Sequence, residues 1–491
     1  MPRILVLADL GQSTYHVGDE AMGIAAAEEL IRRGFEVTIA TRDIRHSQEY
    51  IASPQGYIRT LPFPWPPAER EAYLQQLAQH LEGQEAGPEI TDFVRQVSAM
   101  DGILIAGGGN MNSTYGWLLY ERAAYGLIAQ AHSIPLVISG QSLGPVLTDQ
   151  DAQVLRTLLS GAQLLGLREN RSLAWARAQG LSAHQIVDDA SFYRHRERTL
   201  PGRPVVDLPP AYLCATFDRL SPSQARAIAQ LLDEVYQRHG LSTVFLPHMG
   251  QPLQADGDQA THALIASYML SQPIELPMVH ADDAVQVHRD AQVNFSSRYH
   301  PGVFSLAGGV PHLALLPDAF TDMRVRGMME QYGAGDYALA LDLLETGAVD
   351  KALHEVIAAR QELGEIYADR AQLLASYSES WWDAIGQLFH GQPLPPLADL
   401  LNPPALFTDQ WNLPNLLLRD RFAELSLQAA QAWAEQDRAQ SWQQTYRQER
   451  ELASRRLEQL EEESEQLRSY LQEAEEGATL KGWMRRKMRG D

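Results

Sequence analysis

RILVLADLGQSTYHVGDEAMGIAAAEELIRRGFEVTIA, residues 3–40, holds the pattern that decides the fold. Residues 3–8 form a β-type run whose apolar side chains do not alternate with polar ones, as expected of a strand buried on both faces. After a polar loop, residues 20–34 read as an amphipathic helix that stops at Gly34, with Asp19 as the expected N-cap. Residues 35–40 are a second strand. Strand, helix and strand in that order predict a parallel sheet with a right-handed crossover.

The unit recurs along the chain. DGILIAGGG (101–109), IPLVISGQSLGP (134–145), QLLGLREN (163–170) and HQIVDDAS (184–191) each run from a strand into a turn, with helices over 117–133 and 172–180. A stretch with four prolines at 196–210 reads as a linker. A second series follows, with strands at 211–217, 242–248 and 310–316, a strand and turn at 292–300, and helices at 221–240 and 301–309. The expected fold class is α/β, with two doubly wound Rossmann-like domains facing each other and a long C-terminal helix or coiled coil. The expected boundaries are 1–195 for the first domain, 196–210 for the linker and 211–390 for the second domain. A second linker then covers 391–415, a long helix 416–476 and a basic tail 477–491. In such open sheets ligands bind beyond the carboxyl ends of the strands.

Composition narrows the partners. The chain has 491 residues and a formal net charge of −22, which argues against nucleic-acid binding. The single cysteine, Cys214, excludes an intramolecular disulfide and a thiolate metal site, and fits a reducing compartment. The histidines show no zinc spacing. The apolar run at the N-terminus is too short for a signal peptide or a membrane span, so a cytoplasmic protein is expected. Leu457, Leu460, Leu467 and Leu471 give the long helix a heptad-like seam, on which it either pairs with a second copy or packs on its own protein. The tail carries five basic residues between Lys481 and Arg489 around Trp483. It reads either as a peripheral contact with the inner face of an anionic membrane or as an ordinary tail.

The turns after the strands hold the chemistry. No P-loop or GxGxxG fingerprint is present. What the turns do offer is Arg168, His248, Arg298 and His300, with Arg324 from FTDMRVRG. Arginine grips carboxylate and phosphate in fork geometry, and histidine moves a proton near neutral pH. A small polyanion undergoing proton transfer would use such a set. Arg298 and His300 are two positions apart, so an extended backbone there would aim both to one side.

GDEAM (18–22), GGG (107–109), GQSLGP (140–145), LRENRS (167–172), DDASF (188–192) and SSRYHPGVFSLAGGVP (296–311) occur in an order that resembles the polysaccharide pyruvyl transferases. The resemblance covers roughly residues 3–335. It implies a fold like that of the GT-B glycosyltransferases. It also implies that pyruvate moves from phosphoenolpyruvate to two hydroxyls of one sugar of a surface or extracellular polysaccharide, as a cyclic ketal, with release of phosphate. By position, Arg168, Arg298 and Arg324 would bind the donor, His300 would be the general acid and His248 would assist. On the acceptor side stand Asp19, Gly108, Gln141 and Asp189, with Asp188 beside the last. Phosphoenolpyruvate enters as co-substrate, and no metal or other cofactor is expected. Tyr299 stands where a small aliphatic residue is usual, Pro301 where Ala is, and Arg324 where a Lys is often found. Two other functions stay open. One is a nucleotide-sugar glycosyltransferase, for which residues 280–283 would have to hold the nucleotide. The other is a non-catalytic binding partner in glycan assembly.

Overall fold

The computed structural model describes residues 1–12, 14–51, 53–193, 208–250, 257–406, 484–485 and 487–488. The chain divides into two units, 1–430 and 431–491, and both large sheets lie in the first. The expected linker at 196–210 falls almost wholly outside the described residues, and the helix over 416–476 and most of the basic tail do so too.

The first half is built from β1 (Arg3–Leu7), β2 (Tyr15–His16), α1 (Val17–Arg32), β3 (Glu36–Thr41), α2 (Ile44–Tyr50), β4 (Gly56–Arg59), α3 (Pro67–Leu81) and α4 (Pro88–Val97). It continues with β5 (Gly102–Ile105), β6 (Gly108–Met111), α5 (Gly116–His132), β7 (Leu136–Leu143), α6 (Asp149–Ser160), β8 (Leu164–Leu167), α7 (Asn170–Ala178) and β9 (His184–Gln185). Its sheet is parallel in the order β4-β3-β1-β5-β7-β8-β9, with β6 also on β7. The glycine cluster is therefore partly a strand in its own right, where a bare turn was one reading.

The second half comprises β10 (Tyr212–Thr216), α8 (Pro222–His239), β11 (Ser242–Phe245), β12 (Met249–Gly250), α9 (Gly257–Ala266), β13 (Ile274–Glu275), α10 (Ala281–Asp290) and β14 (Val293–Ser296). Then come α11 (Tyr299–Ala307), β15 (His312–Leu316), α12 (Ala319–Thr321), α13 (Gly327–Glu330), β16 (Ala338–Ala340), α14 (Ala348–Ala358) and α15 (Arg360–Phe389). This sheet is also parallel, in the order β13-β11-β10-β14-β15-β16.

Both sheets read as apolar runs because both faces are covered. In β1, Leu5 and Leu7 join one core with α3 to α6, while Ile4 and Val6 face the other way into a core continuous with the second half. Two devices join the halves. The first is an antiparallel bridge in which His16 pairs with Met249 and Tyr15 with Gly250, extended by Val17 N–H donating to the His248 carbonyl at 3.0 Å. This bridge sets the start of α1, so the helix begins at Val17 with His16 as N-cap and Asp19 in its first turn, not at the cap position expected for it. The second is α15. It leaves the second half, where Gly364 and Ala368 touch Gly309, and ends on the first sheet. There Trp381 Nε1 donates to Ser139 Oγ at 3.0 Å, Arg33 pairs with Asp383 at 2.7 Å, and Phe389 packs on Gly102 and Phe35. The domain expected to end at 390 thus sends its last helix back onto the other half. No described helix is long and apolar enough to cross a membrane.

Candidate functional site

The carboxyl ends of the strands bring several of the expected residues together. Arg168 follows β8. Its Nη1 pairs with Asp188 at 2.6 Å and its Nε donates to Ser142 Oγ at 2.9 Å, and Arg168 and Asp188 are each only 2% exposed. Its guanidinium lies over the Tyr299 ring, 4.3 Å from the centroid. Its Nη2 makes no hydrogen bond among the described residues and faces Gly109, where a Cβ would sit 3.2 Å away.

Arg324 reaches the same glycine from the second half, with Nη1 2.8 Å from where that Cβ would be. It sits in a π-helical turn, Asp322–Arg326, between α12 and α13. Its Nε donates to the Phe320 carbonyl at 3.3 Å, and its charge lies 3.7 Å over Phe320 and 5.9 Å from Tyr299. A side chain at position 109 would fill the space between the two guanidinium groups, and glycine keeps it open. Burial, then the charge of Arg168, lowers the pKa of Arg324. Asp188 and Glu169 offset the charge of Arg168, whose pKa is raised, so Arg324 is the cation that an arriving anion would relieve.

His300 stands in the first turn of α11, a helix whose N-cap, Arg298, supplies no side-chain cap. That end of the helix favours negative charge. The imidazole packs directly on Gly18 of α1, where a Cβ would overlap Nδ1. Its Nε2 is buried without a partner among the described residues. Burial pushes its pKa down to about 4; Asp188 and Asp19 oppose this, and Arg168 and Arg324 add to it. Asp19 is ion-paired with His16 at 3.2 Å. Burial raises the Asp19 pKa, but the contact with His16 and the charges of His300 and Arg168 outweigh it and hold it low.

The expected partnership of Arg298 with His300 does not form. The backbone turns into α11 at Tyr299, so the alternation of an extended strand ends there. The Arg298 guanidinium is held by Asp258 through Nε at 3.2 Å and through Nη2, with Asp218 at 3.3 Å. Two buried carboxylates already neutralise it.

His248 sits in a chain of proton carriers. Asn294 Nδ2 donates to the His288 carbonyl at 3.0 Å, which turns the amide oxygen toward His288 Nδ1 at 2.6 Å. That nitrogen must carry a hydrogen, so His288 Nε2 accepts. His248 Nε2, 2.7 Å away, therefore donates to it. This fixes the His248 tautomer and leaves Nδ1 as its basic nitrogen.

The acceptor-side residues divide. Asp189 lies under the glycine turns, accepting from Gly107 N–H at 2.8 Å and Ser139 Oγ at 2.7 Å, with its pKa raised to about 7 by burial and by Asp188. Gln141 is fully buried beside Gly108, with Nε2 on the Ala106 carbonyl and Oε1 without a partner among the described residues. Asn110 Oδ1, a second buried acceptor without a partner among the described residues, lies near the same glycine and was not singled out from sequence. His280 packs against Tyr50 at 4.2 Å and Tyr15 at 5.9 Å, so its ring is already occupied.

The sequence profile described as "Polysaccharide pyruvyl transferase" matches residues 16–318. The chain belongs to that family. It is therefore a transferase, and the family span begins at His16 and closes just before Arg324. No curated protein matches the chain. Solved structures share the fold of this pyruvyl transferase family member. The putative UDP-N-acetylglucosamine 2-epimerase of Listeria monocytogenes is 12% identical, with a TM-score of 0.51 over 82% of this chain and 99% of its own. Sucrose-phosphate synthase of Thermosynechococcus elongatus is 15% identical, with a TM-score of 0.51 over 80% and 99%. TcCGT1 in complex with UDP is 15% identical, with a TM-score of 0.50 over 79% and 99%. These likenesses establish a GT-B-like architecture. Within the family motifs, Gly18 makes room for His300, and Gly109 keeps the space between the two arginines clear.

Proposed function

We propose that this protein transfers pyruvate from phosphoenolpyruvate to two hydroxyls of one sugar, forming a cyclic ketal and releasing phosphate. The observation that carries the reading is the convergence of Arg168 and Arg324 on Gly109, over Tyr299 and near His300. Phosphoenolpyruvate carries a phosphate and a carboxylate, which suit two guanidinium groups. The first sugar hydroxyl bonds to C2 while C3 takes a proton. Phosphate then leaves and the second hydroxyl bonds to C2. The two hydroxyl protons are balanced by the new methyl group and the released phosphate. His300 delivers the proton to C3. Asp19 and His16 face it from the first half as the route for the hydroxyl proton, and His248 supports from the second. Arg298, tied to Asp258 and Asp218, shapes the start of α11 and leaves ligand charge to the other two arginines.

The reading is tested by thermal-shift titration with phosphoenolpyruvate. A ligand at 100 times its Kd stabilises the folded state by about 2.7 kcal/mol. Arg324→Ala removes charge-assisted bonds worth about 1.5–3 kcal/mol, so the affinity falls about 10- to 100-fold and the shift shrinks accordingly. A wild type that does not respond at millimolar ligand refutes the reading.

Gly18→Ala gives a second check. Alanine favours a helix by about 0.5–1 kcal/mol over glycine, but its methyl must displace His300. The expected outcome is a protein that phosphoenolpyruvate still stabilises but whose kcat, measured by phosphate release, is markedly lower.

A further inference from the structure

The last turns of α8 and the first turns of α14 bring carboxylates and imidazoles together at the surface of the second half. Glu234 and His239 come from α8, and Asp350 and His354, one turn apart, from α14. One ligand atom each of Glu234, Asp350 and His354 lies within 4.8 Å of the others. His354 Nε2 is 3.2 Å from Asp350 Oδ1 and 4.0 Å from Glu234 Oε2. Its other nitrogen, Nδ1, is 2.8 Å from His239 Nε2. Because α8 runs from the carboxyl end of β10 to the amino end of β11, its last turns stand away from the edge where the arginines gather.

Hydrogen bonds do not satisfy this set. His354 Nε2 and Asp350 Oδ1 are buried atoms, and neither has a hydrogen-bond partner among the described residues, although they lie 3.2 Å apart. A hydrogen bond needs an alignment that this pair lacks. Two ligands of one metal ion need only the separation: at about 2.0–2.2 Å from a common centre, neighbours stand about 3–3.5 Å apart and wider pairs about 4 Å. The contact with His239 supports the same arrangement. With its hydrogen on Nδ1, donating to His239, the His354 ring turns the Nε2 lone pair toward two carboxylates. Those negative charges repel one another and the lone pair until a cation sits among them. A ligating histidine is ordinarily held through its second nitrogen in this way.

We propose that Glu234, Asp350 and His354 bind a divalent transition-metal ion of the zinc type, with His239 holding His354 in place and water completing the coordination. An imidazole nitrogen with two carboxylate oxygens suits zinc, whereas magnesium and calcium take oxygen ligands. The Glu234 and Asp350 side chains are 44% and 46% exposed, so an ion reaches them from solvent and both can adjust around it. Arg238 meets Glu234 Oε2 at 2.9 Å, but that pair is itself exposed and worth little, so a dication displaces it. The bound ion ties α8 to α14 just before α14 gives way to α15, the helix that reaches the first sheet. Its place is structural, since no group of the arginine pocket belongs to the set.

The test uses the full-length protein, stripped with EDTA and dialysed into a buffer that does not bind metal. Titration calorimetry with Zn²⁺ should show a saturable site in the wild type. His354→Gln should abolish that site, and Glu234→Gln, on the other helix, should do the same. His239→Gln removes only the support behind His354 and should weaken binding by about 10- to 100-fold. Thermal melting is followed in parallel. In EDTA the wild type and both ligand variants should melt together, which shows that the variants fold. Zn²⁺ should then raise the melting temperature of the wild type alone, and Mg²⁺ at the same concentration should not. A wild type that takes up no Zn²⁺ overturns the proposal. So does uptake that is equal in the wild type, His354→Gln and Glu234→Gln, because the metal then sits on other side chains.

Discussion

His300→Asn lowers turnover by about 10²- to 10⁴-fold, the usual worth of a positioned general acid, and leaves a protein that phosphoenolpyruvate still stabilises. The argument turns on charge. Without ligand the imidazole is neutral at pH 7, because its pKa is pushed down to about 4 by burial, helped by Arg168 and Arg324 and opposed by Asp188 and Asp19. A neutral imidazole there has no proton to deliver to C3. An incoming trianion offsets the two arginines and draws the imidazole pKa upward, so the donor arrives with the proton its own reaction consumes. Binding is then linked to proton uptake. Calorimetry in two buffers of different ionisation enthalpy should show that uptake in the wild type, and affinity should rise as pH falls from neutral. In His300→Asn the uptake should vanish. Wild-type kcat in the variant, or no uptake in the wild type, sinks the assignment. The folded protein obeys the same linkage. A histidine depressed from 6.5 to about 4 contributes stability that is present above 6.5 and lost as pH falls through 4. His300→Asn is accordingly less sensitive to acid across that window.

Arg168→Met is expected to cost about 3–5 kcal/mol of stability, because it leaves the buried Asp188 carboxylate without its cation. Urea denaturation measures it. The companion variant Arg168→Met/Asp188→Asn removes the stranded charge and should recover much of the loss. Both variants lack one of the two cations at Gly109, so neither should regain phosphoenolpyruvate affinity. Recovery of stability without recovery of binding separates the structural work of Arg168 from its ligand work. A stable Arg168→Met protein with normal donor affinity contradicts both.

The α/β class, the two-half architecture and the central strands were legible because those strands are buried apolar runs. The order of strands in the sheets was not, nor were the elements over 41–100 and 250–290, among them the partly exposed edge strands β4 and β13. The failures lie where distant segments set local structure. Asp19 looked like an N-cap, but the bridge from Tyr15 and His16 to Met249 and Gly250 starts α1 earlier. Arg298 and His300 looked like one pair on an extended strand. The carboxylates that claim Arg298 come from positions 218 and 258, and no spacing in the stretch itself reveals them. Tyr299 read only as a departure from the family pattern, yet its ring lies under Arg168 and close to Arg324. Trp65 sits in a proline-rich stretch without periodicity, so its stacking on Trp117, some fifty residues on, left no trace in the sequence.

The return of α15 to the first sheet also has a consequence for how the protein is made. Trp381 and Phe389 complete a face whose strands all precede residue 190. On a ribosome adding about 5–20 residues per second, that face waits some tens of seconds for the helix that closes it. During the wait it is an open apolar surface on a nascent chain, the kind that chaperones hold. The residues after Phe389 then give α15 time to emerge and dock before the chain is released, so the first half should acquire full resistance to protease only once α15 has been translated.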